Sequence, residues 1–82
     1  MKLNVKFFAT LKEKAQMSHL IVDLEDRQLT VADLLLELVR QKPLLESSMK
    51  SALVAVNNEF AFPEQPLKTS DEIALFPPVS GG

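Results

Sequence analysis

Hydrophobic and polar residues alternate from Lys2 to Phe8, with Phe8 alone an apolar residue on the polar side. Leu3, Val5 and Phe7 fall on one side and Lys2, Asn4, Lys6 and Phe8 on the other, the period-two pattern of a half-buried strand. Ala9 to Ala15 carries the helix formers Leu11, Lys12, Glu13 and Lys14 and predicts a short helix. Alternation returns from Ser18 to Leu24, turning Leu20, Val22 and Leu24 inward and His19, Ile21 and Asp23 outward, so the first two strands form a hairpin or near-hairpin. The period then changes to that of a helix. Val31, Leu34, Leu35, Leu38 and Val39 define an amphipathic helix from Thr30 to about Lys42, with the Thr30 hydroxyl placed to accept from the Asp33 amide and Asp33 complementing the helix dipole.

Pro43 interrupts this pattern, and Leu44 to Ser51 reads equally as loop or as another helical turn. Ala52 to Asn57 predicts a strand, Asn58-Glu59 a turn, and Phe60 to Phe62 a short strand ended by Pro63 and Pro66. After a turn at Lys68-Thr69-Ser70-Asp71, Glu72 to Phe76 predicts a last strand with Ile73 and Leu75 inward and Ala74 and Phe76 outward, stopped by Pro77-Pro78. Two strands, a helix and returning strands describe an α+β fold of the ubiquitin-like β-grasp kind, a mixed sheet with one main helix packed on one face. The domain is expected over residues 1–77, and residues 78–82 form an extended tail. One helix covers one face only, so the large apolar residues on the other face invite a second reading.

Composition narrows the chemistry. A hydrophobic fraction of 46% beside 24% charged residues suits one globular domain of 82 residues rather than a disordered chain. Net charge of −2 with scattered Lys and Arg argues against nucleic acid as a partner. No apolar run reaches the roughly 20 residues of a membrane span, and the start Met1-Lys2-Leu3-Asn4-Val5 lacks a signal-peptide pattern, so a cytoplasmic protein is expected. Cysteine is absent and His19 is the single histidine. That composition excludes thiolate nucleophiles and thiolate metal sites, leaves no set of imidazoles for a metal, and makes a self-contained active site improbable. His19 itself reads most simply as a solvated strand residue, and Glu25-Asp26-Arg27 as a polar loop.

The remaining candidate is the C-terminus. The chain's two glycines are Gly81 and Gly82, although the turns at Asn57-Asn58 and Ser70-Asp71 are places where glycine would help. A Gly-Gly end threads narrow channels in extended form and approaches another protein's catalytic groups closely. From Pro78 such a tail reaches about 17 Å at 3.3–3.6 Å per residue. A carboxylate is a poor electrophile, so chemistry at Gly82 requires activation, as by adenylation, before a sulfur or amine nucleophile can displace the leaving group. The competing reading of the dipeptide, a frayed small-residue terminus, is opposed by the stiff lead-in Phe76-Pro77-Pro78-Val79-Ser80.

Glu72 to Gly82 resembles the C-terminal signature of the molybdopterin synthase small-subunit family, and Val5-Lys6-Phe7-Phe8-Ala9 resembles its first-strand motif. Val54-Ala55-Val56-Asn57 with Pro66-Leu67 extends the likeness over nearly the whole chain. Ser70 and the stretch Gln16-Met17-Ser18 depart from it, where the family usually carries glycine. The resemblance implies a sulfur carrier, not catalytic alone and holding no cofactor or metal of its own. A partner adenylating enzyme would use ATP to activate Gly82, and sulfur would replace AMP to give a thiocarboxylate. A large catalytic subunit, in a heterotetramer, would consume two such sulfurs in converting precursor Z (cyclic pyranopterin monophosphate) to the molybdopterin dithiolene.

Parity places Phe8 and Phe76 on the sheet face away from the helix, near the tail's exit. They are candidate anchors of a partner-binding patch, with Phe60 and Lys12 at its margin and Pro77, Pro78 and Val79 leading to Gly81 and Gly82; the resemblance implies partner contact at matching positions. Core packing and singly exposed apolar residues are the competing explanation for these rings. Two other readings stay open at this level. One is a carrier or ubiquitin-like modifier delivering to thiamine synthesis, tRNA thiolation or a lysine, and the other is a non-covalent ubiquitin-like binding domain.

Overall fold

A computed structural model describes residues 1–25 and 28–78. The strand expected first is β1, Lys2–Phe7, followed by the short helix α1, Thr10–Ala15, and by β2, His19–Asp23. β2 lies antiparallel to β1, with Leu3 opposite Val22 and Lys6 opposite His19. Leu24, expected inward at the end of this strand, lies just beyond β2 and is half-buried, as Leu20 is, because β2 borders the sheet and meets the core along one side only.

The main helix, α2, runs Val31–Gln41. Thr30 caps it in extended geometry: the Asp33 amide donates to Thr30 Oγ1 at 3.3 Å, and the Thr30 amide donates back to Asp33 Oδ2 at 2.9 Å. This reciprocal pair satisfies donors that a helix start otherwise leaves open. Val31, Leu34 and Leu38 are buried, and Leu35 and Val39 flank them half-buried, the stripe that the spacing dictates. Pro43 opens a 3₁₀ turn, Pro43–Leu45, that passes into α3, Glu46–Met49, so the ambiguous stretch is helical. Leu45 is drawn into the core by it.

β4 spans Leu53–Val56 and β5 spans Glu59–Phe60, joined by Asn57 and Asn58 with φ of 51° and 71°. The turn thus lies one residue earlier than expected, and the following strand closes at Phe60 rather than Phe62. Two left-handed residues match the twist of a tight hairpin, and asparagine tolerates that backbone better than Glu59 would. Sequence periodicity missed a small ribbon of β3, Leu29–Thr30, against β6, Pro66–Leu67, because two-residue strands are too short to show a period. The last strand, β7, is Glu72–Phe76.

The main sheet has the order β2-β1-β7-β4-β5, with β1 and β7 parallel and the other neighbours antiparallel. This is the mixed sheet of a β-grasp fold. Leu3, Val5, Phe7, Ile73 and Leu75 from the central strands meet Leu11, Leu34, Leu38 and Leu45 from the helices in one sealed core. The two departures from the family's glycines, Gln16 and Ser70, both adopt left-handed φ, 61° and 71°. They occupy the conformation glycine suits best, at a modest cost in backbone strain.

Candidate functional site

Parallel pairing brings the ends of the first and last strands together. Phe7 lies opposite Leu75, and the Phe8 amide continues the ladder by donating to the Leu75 carbonyl at 3.1 Å. Phe8 and Phe76 consequently project from the same side of adjacent strands. Their rings stack with centroids 4.7 Å apart and planes inclined by 11°. The face they share is the one α2 leaves open.

Phe8 is 40% exposed and Phe76 half-buried beneath it. Phe60, on β5, is 74% exposed and lines a shallow hollow together with Phe8, Ala74, Phe76 and Lys6. Lys12 borders a neighbouring hollow, which it shares with Phe8, Lys6 and His19. The structure therefore gathers Phe8, Phe60 and Phe76 around one depression and sets Lys12 on the far side of the Phe8 ring. Pro77 is half-buried and Pro78 exposed, directly after β7. Val79, Gly81 and Gly82 lie outside the described residues.

Two contributors to this surface escaped selection as candidates. Lys6 and Ala74 lie opposite one another on β1 and β7 and floor the hollow beside the phenylalanines. The parity that turned Phe8 and Phe76 outward also marks these two, but neither a lysine nor an alanine stands out in a strand pattern. The third feature has no sequence signal. Ala9 has φ 52° and ψ −128°, a region that glycine occupies freely and alanine only under strain. Through this backbone turn the chain leaves the β1 ladder immediately after Phe8 and enters α1, whose first turn returns hydrogen bonds from Leu11 to the Phe8 carbonyl (3.1 Å) and from Lys12 to the Ala9 carbonyl (3.0 Å). Phe8 is thus held from both sides.

The chemistry available on this surface is that of docking: apolar rings, a lysine at each flank and an open rim. Among the described residues, no group of three or more His, Asp and Glu side chains is placed to hold a metal, and no helix is long and apolar enough to cross a membrane. A perturbed acid lies elsewhere. Hydrogen bonds from Arg40, and then from Gln41, hold the Glu37 carboxyl on α2 down to about 2.

The family model described as ThiS family matches residues 5–82. A protein of Chlamydomonas reinhardtii called molybdopterin synthase sulfur carrier subunit is 37% identical, over the full length of both chains. Small archaeal modifier protein 1 of Haloferax volcanii is 40% identical, over 94% of this chain and 97% of its own. A crystal structure of SAMP1 from Haloferax volcanii is similar at a TM-score of 0.89, with 38% identity and complete coverage of both chains.

Proposed function

This chain belongs to the ThiS family, and from that premise we propose that it is the sulfur carrier subunit of a molybdopterin synthase, working through the carboxylate of Gly82. The observation that carries the reading is the position of the Phe8–Phe76 stack, on the open sheet face at the end of β7, where Pro77-Pro78 leads toward the Gly-Gly tail. A partner that grips the two rings holds the root of residues 78–82 and can receive the tail in its own catalytic cleft. The 37% identity to a full-length sulfur carrier subunit supports the same assignment.

The chemistry resides in the partners. An adenylating enzyme joins the Gly82 carboxylate to AMP with loss of pyrophosphate from ATP. A sulfur nucleophile then attacks the acyl carbon, the carbon–sulfur bond forms, and the bond to AMP breaks. The resulting thiocarboxylate is a sulfur donor that needs no cysteine in this chain. A large catalytic subunit, docked on Phe8, Phe60, Phe76, Pro77, Pro78 and Val79 with Lys12 at the margin, transfers the sulfur to precursor Z. The carrier is a co-substrate of that reaction rather than its catalyst, and its surroundings are cytoplasmic.

Likeness to a modifier protein at 40% identity favours a second reading, in which the same activated terminus is delivered to an amine. Intact mass spectrometry after incubation with an adenylating enzyme, ATP and a sulfur donor tests the shared step. The wild type gains the mass difference between one sulfur and one oxygen, and a chain lacking Gly82 does not. If the wild type also gains nothing while the enzyme sulfurates another carrier, the carrier reading fails. Supplying the thiocarboxylate form with the large subunit and precursor Z then separates dithiolene formation from conjugation to lysine.

A further inference from the structure

One border of the main sheet is β2, which among the described residues has β1 as its sole neighbour. Its hydrogen-bond phase is fixed at both ends. The Met1 α-amino group and the Leu24 amide each donate to the other residue's carbonyl at 2.8 Å, and the Phe7 amide donates to the Ser18 carbonyl at 2.9 Å. Antiparallel ladders alternate bonded and non-bonded pairs, so Leu20 and Val22 also direct their backbone groups at β1. The N–H and C=O groups of His19, Ile21 and Asp23 therefore point away from the sheet. The same alternation on β1 sends the amides of Asn4 and Phe8 toward β7, where they bond Asp71 and Leu75.

The three residues with outward backbone groups also have exposed side chains, and Ile21, at the centre, is 55% exposed. An unpaired strand edge with a bare apolar centre is a template for another strand. We infer that the β2 edge pairs with β2 of a second copy of this chain, antiparallel and centred on Ile21. In that register Ile21 meets the partner's Ile21, and His19 meets the partner's Asp23 at both ends. Every outward N–H and C=O finds its complement, and an imidazole N–H donates to a carboxylate across each end pair.

Alternative registers lose this match. Parallel pairing of two like edges requires a one-residue offset, which turns the exposed side chains of the two copies to opposite faces and sets no His19 against Asp23, and sliding an antiparallel copy by two residues puts His19 against Ile21 and leaves Asp23 unpaired. Lys6, opposite on β1, and Lys12, from α1, share the hollow with His19 and make that end of the edge positive. At the other end Asp23 lies beside Lys2 on β1 with the Met1 amino group 3.6 Å away, and its carboxylate is the acceptor that the partner's imidazole meets. A two-fold axis through the Ile21 pair stands perpendicular to the sheet, so both open faces, each with its Phe8–Phe76 stack, remain exposed on the same side. Self-association thus leaves the proposed docking surface free and doubles it.

A five-residue edge buries little area, which sets the dissociation constant on the order of 0.1–1 mM. Sedimentation equilibrium of the full chain up to about 2 mM, with amide NMR over the same range, tests the pairing. A dimer is expected, with concentration-dependent shifts strongest at the amides of His19, Ile21 and Asp23 and weak at Leu20 and Val22. Ile21→Pro removes one outward N–H at an edge position that tolerates proline, and weakens association at least about tenfold while preserving the monomer's remaining spectrum. His19→Asp weakens it about fivefold by opposing two carboxylates, and adding Asp23→Lys to the same chain restores it. A monomer throughout, shifts centred on Phe8, Phe60 and Phe76, or no restoration in the double variant overturns the inference.

Discussion

The two faces of the main sheet are built from alternate residues of the same strands and follow opposite rules. On the side that α2 covers, Leu3, Val5, Phe7, Ile73 and Leu75 are sealed from solvent. One position along, Lys6, Phe8, Ala74 and Phe76 form a surface in which two stacked rings stand among polar and small side chains. A core gains from filling every gap, with little regard to which apolar residue does it, whereas a surface that docks a partner, as proposed for the open face, depends on a few rings held in place for the partner to cover. Residue type alone does not separate them: Phe7 and Phe8 are neighbours and identical, and parity decides which is structural.

Leu38→Ala strikes the covered side hardest. It leaves a cavity under a residue with no exposed surface and costs about 2–5 kcal/mol in urea unfolding. Phe8→Ala sharpens the contrast, because its two effects separate. Loss of the stack lowers stability by about 1 kcal/mol. Affinity for the large subunit, measured by calorimetry, falls tenfold or more if this ring anchors the interface. Core-sized destabilisation with unchanged affinity would assign Phe8 to the covered side after all.

The smallest effect is expected outside both faces, on the solvent side of α2, where Glu37 is bonded to Arg40 and Gln41. Its folded value of about 2 lies below the ordinary 4.5. The carboxylate therefore contributes stability that is complete above pH 4.5 and disappears as pH falls toward 2. Glu37→Gln flattens that part of the stability-versus-pH curve in thermal unfolding and leaves the neutral-pH fold intact. Solvent screening keeps the change below that of either face.

The major elements were legible because their periods are long enough to count. Leu3, Val5 and Phe7 announce a strand, Val31, Leu34 and Leu38 a helix, and the Thr30–Asp33 cap marks where the period changes. The β3–β6 ribbon and the end of β5 were not legible, since two residues carry no period and their pairing depends on what the rest of the chain brings near them. The Phe8–Phe76 site was visible as parity and adjacency. Its stacking geometry and the strained turn at Ala9 arise only when the ladder between β1 and β7 exists. Residues 79–82 of the proposed site lie outside the described structure.

The pairing of β1 with β7 joins strands from near the two ends of the chain, with Asn4 opposite Glu72. Closing so large a loop is slow and unfavourable until the intervening elements have collapsed beneath it. A chain in which the β1–β7 ladder has not yet formed carries both Phe8 and Phe76 but cannot stack them. A partner that docks on the stacked pair, as proposed above, would thereby engage only chains that have finished folding.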